Sequence, residues 1–204
     1  MRQPMTSLGS TPLHLASKCG HLDLSRFLVE HGANVAAQDR DGSTPLHLMP
    51  EMGHFDLIRF LVEQGANIAA QDESGSTPLH LASRDGHLDV AQFLVEHGAN
   101  AEDQDHRGST PLHQASQWGH FDLARFLVGH GANATVQDQR GLTPLHQTSE
   151  GGHLDLARFL VERGANAAGQ DEGGSTPLHE ASLWGHLDLA RFLVELGANA
   201  AAQD

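Results

Sequence analysis

The sequence predicts an all-α repeat solenoid of stacked two-helix units, and three recurrences carry that prediction. Thr-Pro-Leu-His begins at Thr11, Thr44, Thr77, Thr110, Thr143 and Thr176, in steps of 33 residues. Gly-His recurs at Gly20, Gly53, Gly86, Gly119, Gly152 and Gly185, each time followed by Leu or Phe and then Asp. Gly-Ala-Asn recurs at Gly32, Gly65, Gly98, Gly131, Gly164 and Gly197. The six copies run without insertion or deletion, giving one domain over 1–204 with repeats at approximately 6–38, 39–71, 72–104, 105–137, 138–170 and 171–203. A unit this short cannot bury enough surface to fold alone, so its stability comes from stacking on neighbours.

Each element of the unit has a local cause. The Thr of the first motif is a helix N-cap, as at Thr44, and Pro45 occupies N1, where a missing N–H costs nothing. The first helix then runs about two turns to a glycine, as in Leu79–Asp85 before Gly86, because glycine suits the left-handed conformation that ends a helix. A second helix follows at once. In repeat three Val90, Phe93, Leu94 and His97 fall at i, i+3, i+4 and i+7, an amphipathic stripe. Asp89 lies in the first turn, where negative charge suits the helix dipole, and Gly98 stops the helix. Gln104–Ser109 reads as a turn punctuated by Asp and Gly. The stacking faces in repeat four are Leu112, Ala115, Phe121, Leu123, Ala124, Phe126 and Leu127.

Two positions depart from the pattern. Pro50 stands where the other copies have Ser17, Ser83, Ser116, Ser149 and Ser182. An interior proline removes a backbone bond and clashes with the preceding turn, at roughly 3 kcal/mol or more, so the first helix of repeat two is expected to be kinked or shortened. Gly129 replaces a Glu and is expected to weaken its helix by about 1 kcal/mol. At the far end, repeat six keeps Leu187, Leu189, Phe192 and Leu193 with no seventh copy to cover them. The expectation is a fragment of a longer array, with end-to-end self-association left open.

Composition narrows the function classes. The 204 residues carry 12 basic and 26 acidic side chains, a formal charge of −14 with all 16 His neutral. There is one Lys, Lys18, and the Arg are scattered. Nucleic-acid binding draws on clustered cations, so no nucleic-acid partner is expected. No apolar run approaches the length of a membrane span, and the first residues have no apolar core of signal-peptide length. The lone Cys19 makes no internal disulfide, which fits a reducing compartment; the expected location is intracellular, cytoplasmic with the nucleus left open.

Candidate chemistry reduces to scaffold. Within a motif class the imidazoles recur once per unit, about 8–10 Å apart at ordinary helix spacing. Zinc holds its ligands at ~2 Å, so a ladder does not converge on a metal. The expected role of these His is buried or half-buried hydrogen bonding between units. No phosphate loop, zinc helix or nucleophile elbow occurs, and neither a catalytic residue nor a cofactor is expected.

The segments TPLHLAS and GHLDVAQFLVEHGAN resemble the ankyrin repeat, and the likeness covers residues 6–204. The resemblance implies an ankyrin-type stack of helix-turn-helix units with β-hairpin-like finger loops. It also implies a non-enzymatic module that binds other proteins on a concave face built from finger tips and first helices.

The informative residues are those that vary while the scaffold does not, because stacking identical units explains no diversity. Before the glycine ending the first helix stand Cys19, Met52, Asp85, Trp118, Gly151 and Trp184. One place earlier come Lys18, Glu51, Arg84, Gln117, Glu150 and Leu183. After Pro-Leu-His the residue changes from Leu15, Leu48 and Leu81 to Gln114, Gln147 and Glu180, and the finger tips include Arg107 and Arg140. By the resemblance these positions face the concave groove. The candidate partner-binding set is Met52, Arg84, Asp85, Arg107, Gln114, Gln117, Trp118, Arg140, Gln147, Glu150, Gly151, Glu180, Leu183 and Trp184. A slot over repeat five is expected, walled by Trp118 and Trp184, floored by Gly151 and edged by Glu150 and Glu180. It suits a helix or extended segment with apolar and basic side chains; the plainer reading packs each Trp over its own helix stems. The competing function is a structural spacer whose groove binds nothing.

Overall fold

The computed structural model describes residues 9–48 and 54–203, and among them the secondary structure is helical, with no strand. First helices alternate with second helices: α1 (Pro12–Lys18), α2 (Leu22–Glu30), α3 (Phe55–Glu63), α4 (Pro78–Asp85), α5 (Leu88–Glu96), α6 (Pro111–Gln117), α7 (Phe121–Gly129), α8 (Pro144–Gly151), α9 (Leu154–Glu162), α10 (Pro177–Leu183) and α11 (Leu187–Glu195). In repeat two Pro45–His47 forms a turn, and no helix precedes α3 there among the described residues. Pro50 and Met52, with neighbours 49, 51 and 53, lie outside the described residues.

The chain divides into two compact units. The first comprises Met1–Ala82 and Asp89–Asn100, the second Ser83–Leu88 and Ala101–Asp204. In the first, α1 packs on α2 and α2 on α3. Leu13, Leu46, Leu57, Ile58, Leu61, Leu79, Val90 and Leu94 form its interior. The second helix of repeat three ends in two bonds, Ala99 N–H to Leu94 O at 2.9 Å and Gly98 N–H to Val95 O at 3.0 Å. They satisfy carbonyls the helix leaves open. His97 is exposed rather than part of the apolar stripe; its Nδ1 sits 2.7 Å from Phe93 O and its ring lies over Phe93.

In the second unit the first helices α6, α8 and α10 pack side by side, as do the second helices α7, α9 and α11, and each first helix packs on its own partner. The layer between them holds Leu112, Ala115, Leu123, Ala124, Leu127, Leu145, Leu156, Ala157, Leu160, Ala181, Leu189 and Leu193, all nearly solvent-free. Of the expected stacking residues, Phe121 and Phe126 instead sit at the rim. Phe121 meets Phe159 edge-on, and Phe126 is only half buried. At repeat six Leu189 and Leu193 face inward, while Leu187, Val194 and Leu196 are exposed and the Arg158 guanidinium lies over the Phe192 ring.

Hydrogen bonds join successive repeats at both motifs. The backbone N–H of Thr110 donates to His113 Nδ1 at 3.1 Å, and the Thr110 hydroxyl lies 2.9 Å from the same nitrogen. The proton must then sit on Nε2, which donates to Leu142 O of the next repeat at 3.0 Å. The same forward bond runs from His14 to Ser43 O, from His47 to Ser76 O and from His146 to Ser175 O. The Thr hydroxyl therefore faces the imidazole in every described repeat, and the expected hydroxyl-to-backbone cap accompanies it at Thr11, where His14 N–H approaches Oγ1 at 3.4 Å.

The Gly-His imidazoles run the other way: Nε2 of His120, His153 and His186 donates to Arg84 O, Gln117 O and Glu150 O of the preceding repeat, at 3.0, 3.2 and 2.9 Å. Gly119 shows why glycine precedes this His. Its φ is +71°, and a Cβ there would strike the His153 ring.

Each finger is a tight turn organised by one aspartate. Asp138 Oδ1 accepts the N–H groups of Arg140 and Leu142, at 2.8 and 2.9 Å, and Asp138 N–H donates to Leu142 O. Asp39, Asp72, Asp105 and Asp171 do the same in their own repeats. Neighbouring fingers are tied by one backbone bond, Gln139 N–H to Arg107 O at 2.8 Å and Glu172 N–H to Arg140 O at 2.9 Å. The fingers are thus hairpin-like in bonding without becoming strands.

Burial pushes the imidazoles of His47 and His146, one in each unit, below the ordinary histidine range, against the partial compensation of carbonyl bonds and nearby Asp. A doubly protonated ring would also aim an N–H at the Thr N–H that now donates to it. With the folded pKa depressed, the unfolded chain binds more protons below its own pKa near ~6.5. This stabilisation is complete above that pH and is lost as pH falls through the folded pKa. The melting temperature, followed by circular dichroism, is expected to fall between neutral pH and pH near ~5; a flat profile contradicts it. Gly129 ends α7 and a Cβ there would meet nothing within 4 Å. Gly129→Ala is accordingly expected to raise stability by up to about 1 kcal/mol in chemical denaturation.

Candidate functional site

The candidate surface lies on the second unit, where the ends of α6, α8 and α10 meet the fingers of repeats four to six. The C-cap of α6 is Trp118 and that of α10 is Trp184. Each is 57% exposed, and the adjacent Leu183 is 76% exposed. Residues on these helix ends are held through their main chains: Gln117 and Glu150 are gripped by their carbonyls, as is Arg84 at the end of α4. The fingers repeat the arrangement, with Arg107 and Arg140 fixed through N–H and C=O while their side chains stay exposed.

A recess of about 230 Å³ forms between the end of α8, the end of α10 and the finger of repeat five. It is lined by Arg140, Leu142, His146, Gln147, Glu150, Glu180, Leu183 and Trp184. Six of these belong to the sequence-derived set. Leu142 and His146 do not. Leu142 was legible as an exception, because Ser10, Ser43, Ser76, Ser109 and Ser175 occupy its place in the other repeats. His146 carried no such signal, since it is one of six identical scaffold imidazoles.

Within the recess the charges are unevenly balanced. Burial raises the Glu180 carboxyl above the ordinary carboxylate range, and the Glu150 and Asp171 carboxylates push it further, with smaller opposition from the Ser175 hydroxyl and Arg140. Ser175 Oγ approaches Glu180 Oε1 at 3.5 Å. Gln147 Oε1 is buried and accepts no hydrogen bond from any described residue.

The remaining candidates lie elsewhere. Trp118 and Gly151 do not line this recess, so its aromatic wall is Trp184 alone. Gly151 extends α8 by one residue and has a packing reason to lack a side chain: a Cβ would lie 2.9 Å from Gln117 O and strike the His153 ring. Gln114 Nε2 turns to Ser109 Oγ at 3.4 Å, and Arg84 pairs with Asp85 at 2.9 Å. A larger hollow of about 740 Å³ sits on α7 and α9, beside Phe121, His153, Arg158 and Phe159. Its lining consists of positions that recur in every unit unchanged or with one or two exchanges, so the scaffold accounts for it. No three His, Cys, Asp or Glu side chains among the described residues converge on a metal position.

The repeated geometry fits the comparison with known families. A family model for ankyrin repeats (3 copies) matches residues 2–72, 53–138 and 127–204. The chain belongs to the ankyrin-repeat family. Members of this family are generally protein–protein interaction modules and typically non-enzymatic. No curated protein matches the chain significantly. No described helix of this ankyrin-repeat protein is long and apolar enough to cross a membrane.

Gly151 gives the site a local test. Gly151→Ala is expected to displace His153 from Gln117 O and to cost about 1–3 kcal/mol, the usual penalty for overpacking. Urea unfolding of the variant measures it; unchanged stability contradicts the steric account.

Proposed function

We propose that this ankyrin-repeat chain binds a partner protein or peptide on the concave face of repeats four to six, through Trp118, Trp184 and the finger residues Arg107 and Arg140. One observation supports the reading above the rest: the scaffold grips this face through main-chain atoms and leaves Arg107, Trp118, Arg140, Leu183 and Trp184 exposed and free to differ. Exposed Trp with neighbouring Arg is the composition of binding hot spots. Exposed Leu183 adds apolar area beside Trp184. A spacer segment would have no use for such residues on one face.

The test is retention of a partner from cell extract by immobilised wild-type chain, compared with Trp118→Ala, Trp184→Ala and Arg107→Ala. The reading expects at least one variant to lose the partner while its circular dichroism and melting temperature stay unchanged. A partner retained equally by all four proteins moves binding off this face.

A further inference from the structure

We infer that the recess bounded by Glu150, Glu180, Gln147 and Trp184 receives the guanidinium of an arginine side chain on the bound partner. This rests on the concave-face reading above and gives that face its chemical specificity.

Size is the first argument. A recess of about 230 Å³ falls below the range of about 300–1,000 Å³ typical of small-molecule pockets. It is the scale of one long side chain.

Charge is the second. Two carboxylates, Glu150 and Glu180, face one guanidinium, Arg140, and Asp171 adds a further negative charge nearby. No ion pair among the described residues joins Arg140 to either carboxylate. His146, the other titratable group in the lining, is held neutral by burial. A cation entering between Glu150 and Glu180 replaces their repulsion by two attractions.

Donor geometry and stacking are the third. Arginine supplies five N–H donors in a fixed plane, enough to serve two carboxylates together. The ammonium of lysine is a compact, strongly hydrated point charge without that fork. Trp184, more than half exposed at the edge of the recess, offers an indole face on which a guanidinium stacks.

The probes are the tripeptides Ac-Gly-Arg-Gly-NH2, Ac-Gly-Lys-Gly-NH2 and the citrulline analogue, which keeps the shape of arginine without its charge. Each is titrated into the full chain to tens of millimolar while the two indole N–H resonances are followed by 1H–15N NMR. The arginine peptide is expected to shift the Trp184 signal saturably and leave Trp118 unmoved. Citrulline and lysine peptides are expected to bind about tenfold more weakly, a difference of about 1.4 kcal/mol. Glu150→Gln with Glu180→Gln, checked for an unaltered spectrum elsewhere, is expected to bring the arginine peptide down to the citrulline level. Absence of a saturable Trp184 shift, equal response to citrulline or lysine, or binding unaffected by the double substitution would each overturn the inference. A chain that still captures its partner through Trp118 and Trp184 yet ignores the arginine tripeptide loses this inference alone.

Discussion

The imidazole of Thr-Pro-Leu-His is the part on which the rest of this molecule depends. It accepts from the Thr N–H of its own repeat and donates to a carbonyl of the next, as His113 does between Thr110 and Leu142. One neutral ring thereby closes the start of a helix and joins two repeats. Each such bond contributes only about 0.5–1.5 kcal/mol net, but its loss would leave a buried donor and a buried acceptor unpaired. The Gly-His ring adds a bond in the opposite direction, so within the second unit each of repeats four and five is tied to the next through both His classes.

This joinery has a consequence for evolution of the surface. The backward bonds end on the carbonyls of Arg84, Gln117 and Glu150, and the finger bonds end on the carbonyls of Arg107 and Arg140. These are the positions whose side chains differ from repeat to repeat. A main-chain carbonyl is the same whatever residue carries it, so the lattice tolerates Arg, Gln or Glu equally. Stability and surface diversity are thus separated at the level of atoms: backbone oxygens carry the first, side chains the second. Gly151 is the instructive exception, because there the close-packed His153 ring reaches into the variable position and excludes a side chain.

Much of this was legible in the sequence because a repeat reports its own structure six times over. The helices, their glycine stops and the bonding role of the His follow from period and chemistry, and the variable positions stand out against a constant background. What escaped has identifiable causes. Phe121 and Phe126 satisfy the apolar pattern, yet geometry places them at the rim, and periodicity carries no information about depth in a thin slab. The Asp of Gln-Asp reads as turn punctuation, whereas its Oδ1 organises the finger by holding two N–H groups. The recess was only partly foreseen, since Leu142 enters it from a finger and Trp118 stays out of it.

The joining rings hold the repeats together in one protonation state only. Long-range 1H–15N correlation spectra of the histidine side chains at neutral pH read that state directly. For the Thr-Pro-Leu-His residues, His113 and His146 foremost, the structure requires an unprotonated Nδ1 and a protonated Nε2. Spectra showing the Nδ1–H tautomer, or a ring averaging between both forms, would contradict it.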